Sequence, residues 1–533
     1  MRLKNYDQTW KAMGYELPEY DREQVRKDTM AQPTWLHFGA GNIFRGFPAA
    51  GMQKLLNSKS YDKGVIVAEG FDYEIIEKAY KPFDDLSLLV VLKADGAIEK
   101  KVIGSVVESL VADSSNDSEW SRLKEIFRNS SLQMASFTIT EKGYSLFDSK
   151  GDHLGVVEAD FNIGLDRPNH IMGKVTALLY ERFLAGATPI AMVSMDNCSH
   201  NGDKLYFAVE AYAEHWVKNG FAEESFLNYI SDPKKVSFPW SMIDKITPRP
   251  DDKVKQLLVD DGFEDTELII TGKNTYTAAF VNAEETEYLV IEEAFPNGRP
   301  PFEKAGIFFT DRETVDKVEK MKVCTCLNPL HTSLAIFGCL LSYQTIWEEM
   351  RDTELVKLVK KIGYVEGMPV VVNPGVLDPQ DFIKAVLERR LPNPFMPDAP
   401  QRIATDTSQK LPIRFGESIK AYAHSKELKV TELTVIPLTL AGWCRYLMGV
   451  DDNGNEFTPS PDPLLAEVQE YVKGIKLGDK TIGKNTLRPI LSNEKIFAVN
   501  LYEVGLGEKI ENMFLELIAG KGAVRATLQK YLD

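Results

Sequence analysis

Short apolar runs, each closed by a cluster of turn formers, recur through the first three hundred residues. Residues 34–38, 64–68, 86–92, 102–107, 132–140 and 187–194 are such runs. A brief apolar stretch between turn signals predicts a buried strand. Residues 42–56, between the first two runs, carry helical spacing instead. Strands alternating with helical segments predict an α/β domain with an open, mostly parallel sheet and helices on both faces. After about residue 306 the pattern changes. Residues 315–323, 332–349, 354–362, 379–391, 416–428, 430–448 and 463–473 all have helical spacing, and strand signals become rare. The second half therefore reads as a mainly α-helical domain. The turn-rich cluster Phe295-Pro296-Asn297-Gly298-Arg299-Pro300-Pro301 marks the expected boundary, giving domains 1–300 and 301–533.

Composition narrows the partners. A formal charge of −16 argues against nucleic acid and anionic membrane surfaces. The same field repels an anionic substrate, which would need local cations in its pocket. No apolar run approaches the roughly 20 residues that span a bilayer, and residues 1–28 lack a secretory apolar stretch. A cytoplasmic setting is the expectation. The five cysteines form no CxxC pair or disulfide framework. Cys324-x-Cys326, near His331, reads as two small buried residues, and no metal site is expected.

The first strand runs into Gly39-Ala40-Gly41-Asn42-Ile43-Phe44-Arg45-Gly46, which opens a helix. Glycines there let the backbone approach a pyrophosphate, and the helix start offers free N–H groups and a positive dipole. The spacing departs from strict G-x-G-x-x-G, so context must support it. Glu69, at the end of the second strand, supplies that context. A carboxylate there can accept hydrogen bonds from the adenosine ribose and repel a 2′-phosphate, which favours NAD over NADP. Asp72 is a possible second contact. The cofactor candidates are Gly39, Gly41, Asn42, Ile43, Arg45, Glu69 and Asp72. A plain strand–turn–helix with a surface acid is the competing reading.

Three segments place unusual polar residues at strand ends or helix starts: 194–202, 238–248 and 319–331. In the third, Asn328 and His331 stand three apart, on one face of a helix start, ahead of an apolar run. Polar groups at the mouth of a buried helix need partners, and a substrate is one such partner. Oxidising a secondary alcohol needs a base within reach of the hydroxyl and donors for the developing alkoxide. Lys322 is the candidate base. Taken singly, Asn328 also reads as a helix cap and His331 as a satisfied core histidine.

Together the segments resemble the long-chain mannitol dehydrogenase family of polyol and sugar-acid dehydrogenases. The similarity rests on Gly39-Ala40-Gly41-Asn42-x-x-Arg45, Asp196-Asn197-x-x-His200-Asn201-Gly202, Phe238-x-x-Ser241-x-Ile243-Asp244-Lys245-Ile246-x-Pro248, and Asn328-x-x-His331. It implies a Rossmann-type domain followed by a largely helical one, and NAD as cofactor. It also implies Lys322 as general acid–base, Asn197 and Asn328 as an oxyanion hole, and His331 orienting the reacting oxygen. Asp244 would lie near the site, Glu141 would assist proton exit, and Arg402 and Lys410 would contact the distal substrate. One departure matters: Lys322 precedes Asn328 by six residues, where the family spacing is five. A one-residue bulge would reconcile the two; without it the base would be Lys320 or Lys245. Residues 393–412 resemble the fructuronate reductase (D-mannonate oxidoreductase) branch, which implies a sugar acid. A forked guanidinium such as Arg402, with Lys410, suits a carboxylate. Mannitol 2-dehydrogenase and tagaturonate reductase activities are the rivals, and a non-catalytic nucleotide sensor is the alternative of a different class. The expected partner is a small sugar acid or polyol, with the chain a monomer or small homo-oligomer.

Overall fold

The computed structural model describes all residues, Met1–Asp533. They form two compact units: Met1–Lys93 with Ala97–Asp316, and Lys317–Asp533 with the short Ala94–Gly96 segment. The turn-rich 295–301 cluster thus lies inside the first unit.

In the first unit the buried runs assemble as a six-stranded, wholly parallel sheet. Its spatial order is Val106–Val111, Val65–Glu69, Trp35–Phe38, Met134–Phe137, Ile190–Ser194, Val236–Ser237. Numbered along the chain this is 3-2-1-4-5-6, the Rossmann order. The first, second, fourth and fifth strands are buried at every position, as expected where helices cover both faces. The order reverses between Trp35–Phe38 and Met134–Phe137, so the crevice for a dinucleotide opens beyond Phe38 and Phe137.

Two runs differ from the expected single sheet. Ser87–Leu92 belongs to a separate mixed sheet, antiparallel to Ile98–Ile103 and parallel to Phe280–Glu284. Residues 102–107 are not one strand. The chain leaves that second sheet at Ile103 and enters the parallel sheet at Val106. Gly104 lies at this crossing, where a Cβ would come within 3.1 Å of the Arg22 side chain and 3.2 Å of Pro18. The helix after the first strand also divides, into Asn42–Gly46 and Pro48–Asn57, because Pro48 can only start a helix.

The second unit is helical. Its central helix, Asn328–Leu340, is buried along most of its length and packs on Val435–Tyr446. The helical run Arg312–Leu340 is long and apolar enough to cross a membrane by composition, yet 78% of its most apolar window is buried inside the protein. Four π-helical segments interrupt the α-helices: Lys322–Cys326, Lys361–Gly367, Val386–Arg390 and Pro412–Gly416. π-Helix is rare and gathers at functional positions.

Candidate active site

The crevice of the first unit starts at Gly39. Its φ is +104°, and a Cβ there would stand 2.2 Å from the Thr138 carbonyl oxygen. Only glycine lets the first and fourth strands close to this distance. Gly41 differs. Its φ of −76° suits any residue, and nothing lies within 4 Å of where its Cβ would be. That open space, beside the uncapped start of Asn42–Gly46, is a cradle a side chain would fill, and it fits the pyrophosphate of a dinucleotide.

Glu69 is buried at the rim. Its carboxylate accepts from the backbone N–H of Ala40 (2.8 Å), Phe71 (2.9 Å) and Asp72 (3.1 Å). Burial pushes this carboxyl up, and the three backbone donors oppose the shift. Glu69 therefore stitches the two loops of the crevice together. The Asp72 carboxylate accepts from Thr271 Oγ1 at 2.6 Å. Arg45, expected at the cofactor, is fully buried beneath the loop. Its guanidinium donates to Ala278 O, Thr277 Oγ1 and Asn42 Oδ1. With its donors turned to these groups, Arg45 supports the loop from within the fold. Asn42, through the same bond, is half-engaged in that support, while Ile43 stays partly exposed.

After the fifth strand, the motif divides by role. Asp196 is buried and accepts from Ile139 N, Thr140 N and Tyr144 Oη. The Asn201 amide bridges Ser194, Asp196 and Ser241. These two fix a rim on which Asn197 is exposed. Asp244 ends the strand Ser241–Asp244 and is buried. Its neighbour Lys245 is 2% exposed, donating to Glu284 O (2.6 Å) and paired with Glu287 (2.9 Å). Glu141 is exposed and paired with Lys204.

In the second unit, Lys322 is 4% exposed and is the first residue of a π segment. Leu327 N donates to Lys322 O at 3.1 Å, an i→i+5 bond that accommodates one extra residue. The bulge that the six-residue spacing calls for is therefore present. His331 N then donates to Leu327 O at 3.1 Å, resuming the α pattern. His331 Nε2 is sealed from solvent without a hydrogen-bond partner, 3.6 Å from Asp398 Oδ2. A buried polar nitrogen left without a partner is uncommon and leaves this imidazole with hydrogen-bonding capacity unused inside the fold. Arg402 is exposed and pairs with Asp398. Lys410 donates to Ile403 O and Thr405 O.

Residues 33–304 match the mannitol dehydrogenase Rossmann domain, and residues 314–518 match the mannitol dehydrogenase C-terminal domain. The chain belongs to the mannitol dehydrogenase family. As a member of this family it is an oxidoreductase. It is 55% identical over 523 residues to a D-mannonate oxidoreductase of Thermotoga maritima, covering 98% of this chain and 96% of that one. It is 29% identical over 464 residues to a mannitol 2-dehydrogenase of Pyrenophora tritici-repentis, covering 85% and 75%. Among solved structures, Pseudomonas fluorescens mannitol 2-dehydrogenase in ternary complex with NAD and D-mannitol matches with a TM-score of 0.69 and 26% identity, over 100% and 99% of the two chains.

The second unit of this mannitol dehydrogenase family member also holds polar residues outside the motifs visible in the sequence. Asp398 faces both His331 and Arg402. Arg414, in the π segment Pro412–Gly416, donates to Thr332 Oγ1 at 2.6 Å. Arg390, ending another π segment, is 2% exposed. The signal available for Arg414 was a lone arginine between the apolar residues Ile413 and Phe415. Burial pushes the His331 imidazole down to about 4; Asp398 opposes this, while Arg390, Arg414 and Arg402 reinforce it. His331 is thus neutral at pH 7 and can donate one N–H while accepting at the other nitrogen.

That shift has a measurable sign. An unfolded histidine titrates near 6.5, so the folded state disfavours the proton. The contribution of His331 to stability is complete above pH 6.5 and is lost as the pH falls towards 4. Between pH 7 and 4.5 the native protein should lose about 2 kcal/mol more stability than His331→Gln. Paired denaturant melts at the two pH values test this, and parallel losses refute it.

Proposed function

We propose that this chain is an NAD(H)-dependent oxidoreductase interconverting D-fructuronate and D-mannonate. The observation carrying the reading is the 55% identity to a D-mannonate oxidoreductase over 98% of the chain. NAD, when bound, supplies hydride transfer at its nicotinamide. The residues that would hold it are the open backbone at Gly41, the loop from Gly39 through Asn42 and Ile43, and the rim that Glu69 organises with Asp72. Arg45 supports that loop from below.

Lys322 then takes the hydroxyl proton during oxidation and returns it during reduction. A base in this role must work at the reacting oxygen, which fits a buried lysine beside a helix mouth. His331, neutral and with Nε2 lacking a partner, orients that oxygen. Asn328 and Asn197 are the amide donors assigned to the developing oxyanion. Asp244 is assigned to the wall of the site, and Arg402 and Lys410 to the distal substrate. The setting proposed is cytoplasmic.

The test is a steady-state panel with NADH against D-fructuronate, D-tagaturonate and D-fructose. D-Fructuronate should give the highest kcat/KM. Fructose in first place would overturn the sugar-acid reading in favour of mannitol 2-dehydrogenase activity, and tagaturonate in first place would move it to the epimeric acid.

A further inference from the structure

We propose that Arg414 is the residue that anchors the substrate carboxylate, and so sets the preference for a sugar acid over a neutral polyol. The proposal rests on the sugar-acid reading above and names the group that enforces it. Arg390, Arg414 and Arg402 all lie near enough to His331 to act on its charge, and Arg390 already has a partner of its own. Arg402 is 66% exposed and its guanidinium is engaged by Asp398. The Lys410 ammonium is directed at two backbone carbonyls. Arg414 has one hydrogen bond, to Thr332 Oγ1, and no carboxylate facing it. Its other N–H groups are not sealed, since none is a buried atom without a partner.

Burial alone shifts this guanidinium, pulling it down to about 10, with no anion opposing the shift. A desolvated cation without a counter-ion is costly. A ligand carboxylate relieves that cost, and the guanidinium fork matches it with two parallel hydrogen bonds. A polyol has no charge to answer Arg414.

Position supports the assignment. Thr332 Oγ1 accepts from Arg414 and donates to Asn328 O at 2.9 Å. Arg414 is therefore held to the same helical turn that carries Asn328 and His331. It is near enough to His331 to depress the imidazole. Its backbone lies in one π segment and that of Lys322 in another.

The experiment compares the native enzyme, Arg414→Met and Arg414→Lys in NADH-driven reduction of D-fructuronate and D-fructose. Competitive inhibition by D-mannitol serves as the neutral readout if fructose turnover is too slow. Arg414→Met should lower kcat/KM for fructuronate on the order of 10²-fold, chiefly through KM. The neutral readout should change less than about threefold. Arg414→Lys, which keeps a charge without the fork, should fall about tenfold for the acid alone. Equal losses for acid and neutral ligand, or no loss for the acid, would overturn the assignment. If Arg414→Met lacks a cooperative melt, Arg414→Lys carries the same ratio test. Failure of the parent reading shows separately, as native enzyme that prefers fructose.

Discussion

Lys322→Ala is expected to lower kcat by on the order of 10²–10⁴ while leaving NADH affinity within about twofold. The argument turns on the π segment. An α-helix advances about 100° per residue, so one inserted residue would swing Lys322 by that angle relative to Asn328. The Leu327 N to Lys322 O bond shows the extra residue absorbed in a wide turn instead. Lys322 is thereby buried at the segment's start. The two rival lysines fare differently. Lys320 is exposed. Lys245 is closed in by Glu284 O and Glu287 in the first unit. Lys320→Ala should change kcat less than about threefold. Stopped-flow single turnovers separate chemistry from product release. A near-normal hydride-transfer rate in Lys322→Ala would remove it as the base.

How much of this was readable beforehand depended on whether burial or geometry decided the feature. The runs that became Trp35–Phe38, Val65–Glu69, Met134–Phe137 and Ile190–Ser194 were legible because a strand covered on both faces is apolar throughout. Their pairing was not. Nothing in the alternation of 86–92 separates it from the parallel strands, and only long-range pairing with Phe280–Glu284 assigns it to another sheet. Gly104 looked like an ordinary residue in a strand and proved to be a crossing between two sheets. The site shows the same division. The Asn328-x-x-His331 pair and the Gly39–Gly41 loop were visible as spacing. Arg45 and Glu69 were visible as motif members, but their direction is set by contacts to Ala278, Thr277 and the loop amides. Arg414 was hidden because charge compensation is a property of neighbours in space. The π segments were hidden because a one-residue widening barely disturbs helical periodicity.

The two glycines of the cofactor loop should fail in opposite ways when changed to alanine. Gly39→Ala meets two obstacles at once: a positive φ, costing about 1–2 kcal/mol for an L-residue, and a Cβ at 2.2 Å from the Thr138 backbone oxygen. Backbone cannot swing aside as a flexible side chain can, so the first and fourth strands must part, at a further cost of about 1–3 kcal/mol. The first unit should melt on the order of 10 °C lower, with NADH binding lost as a consequence. Gly41→Ala meets neither obstacle, because its φ is ordinary and its surroundings are open. Its melting temperature should stay within about 2 °C of native. Yet the new methyl occupies the space through which a pyrophosphate would approach the helix start, so the Kd for NADH should rise on the order of tenfold or more. Differential scanning calorimetry and NADH fluorescence titration on the same two proteins read both halves. Native-like NADH affinity in Gly41→Ala would show that the dinucleotide does not pass over this loop. A native-like melt in Gly39→Ala would show that the strands at the switch point are not closed as the structure has them.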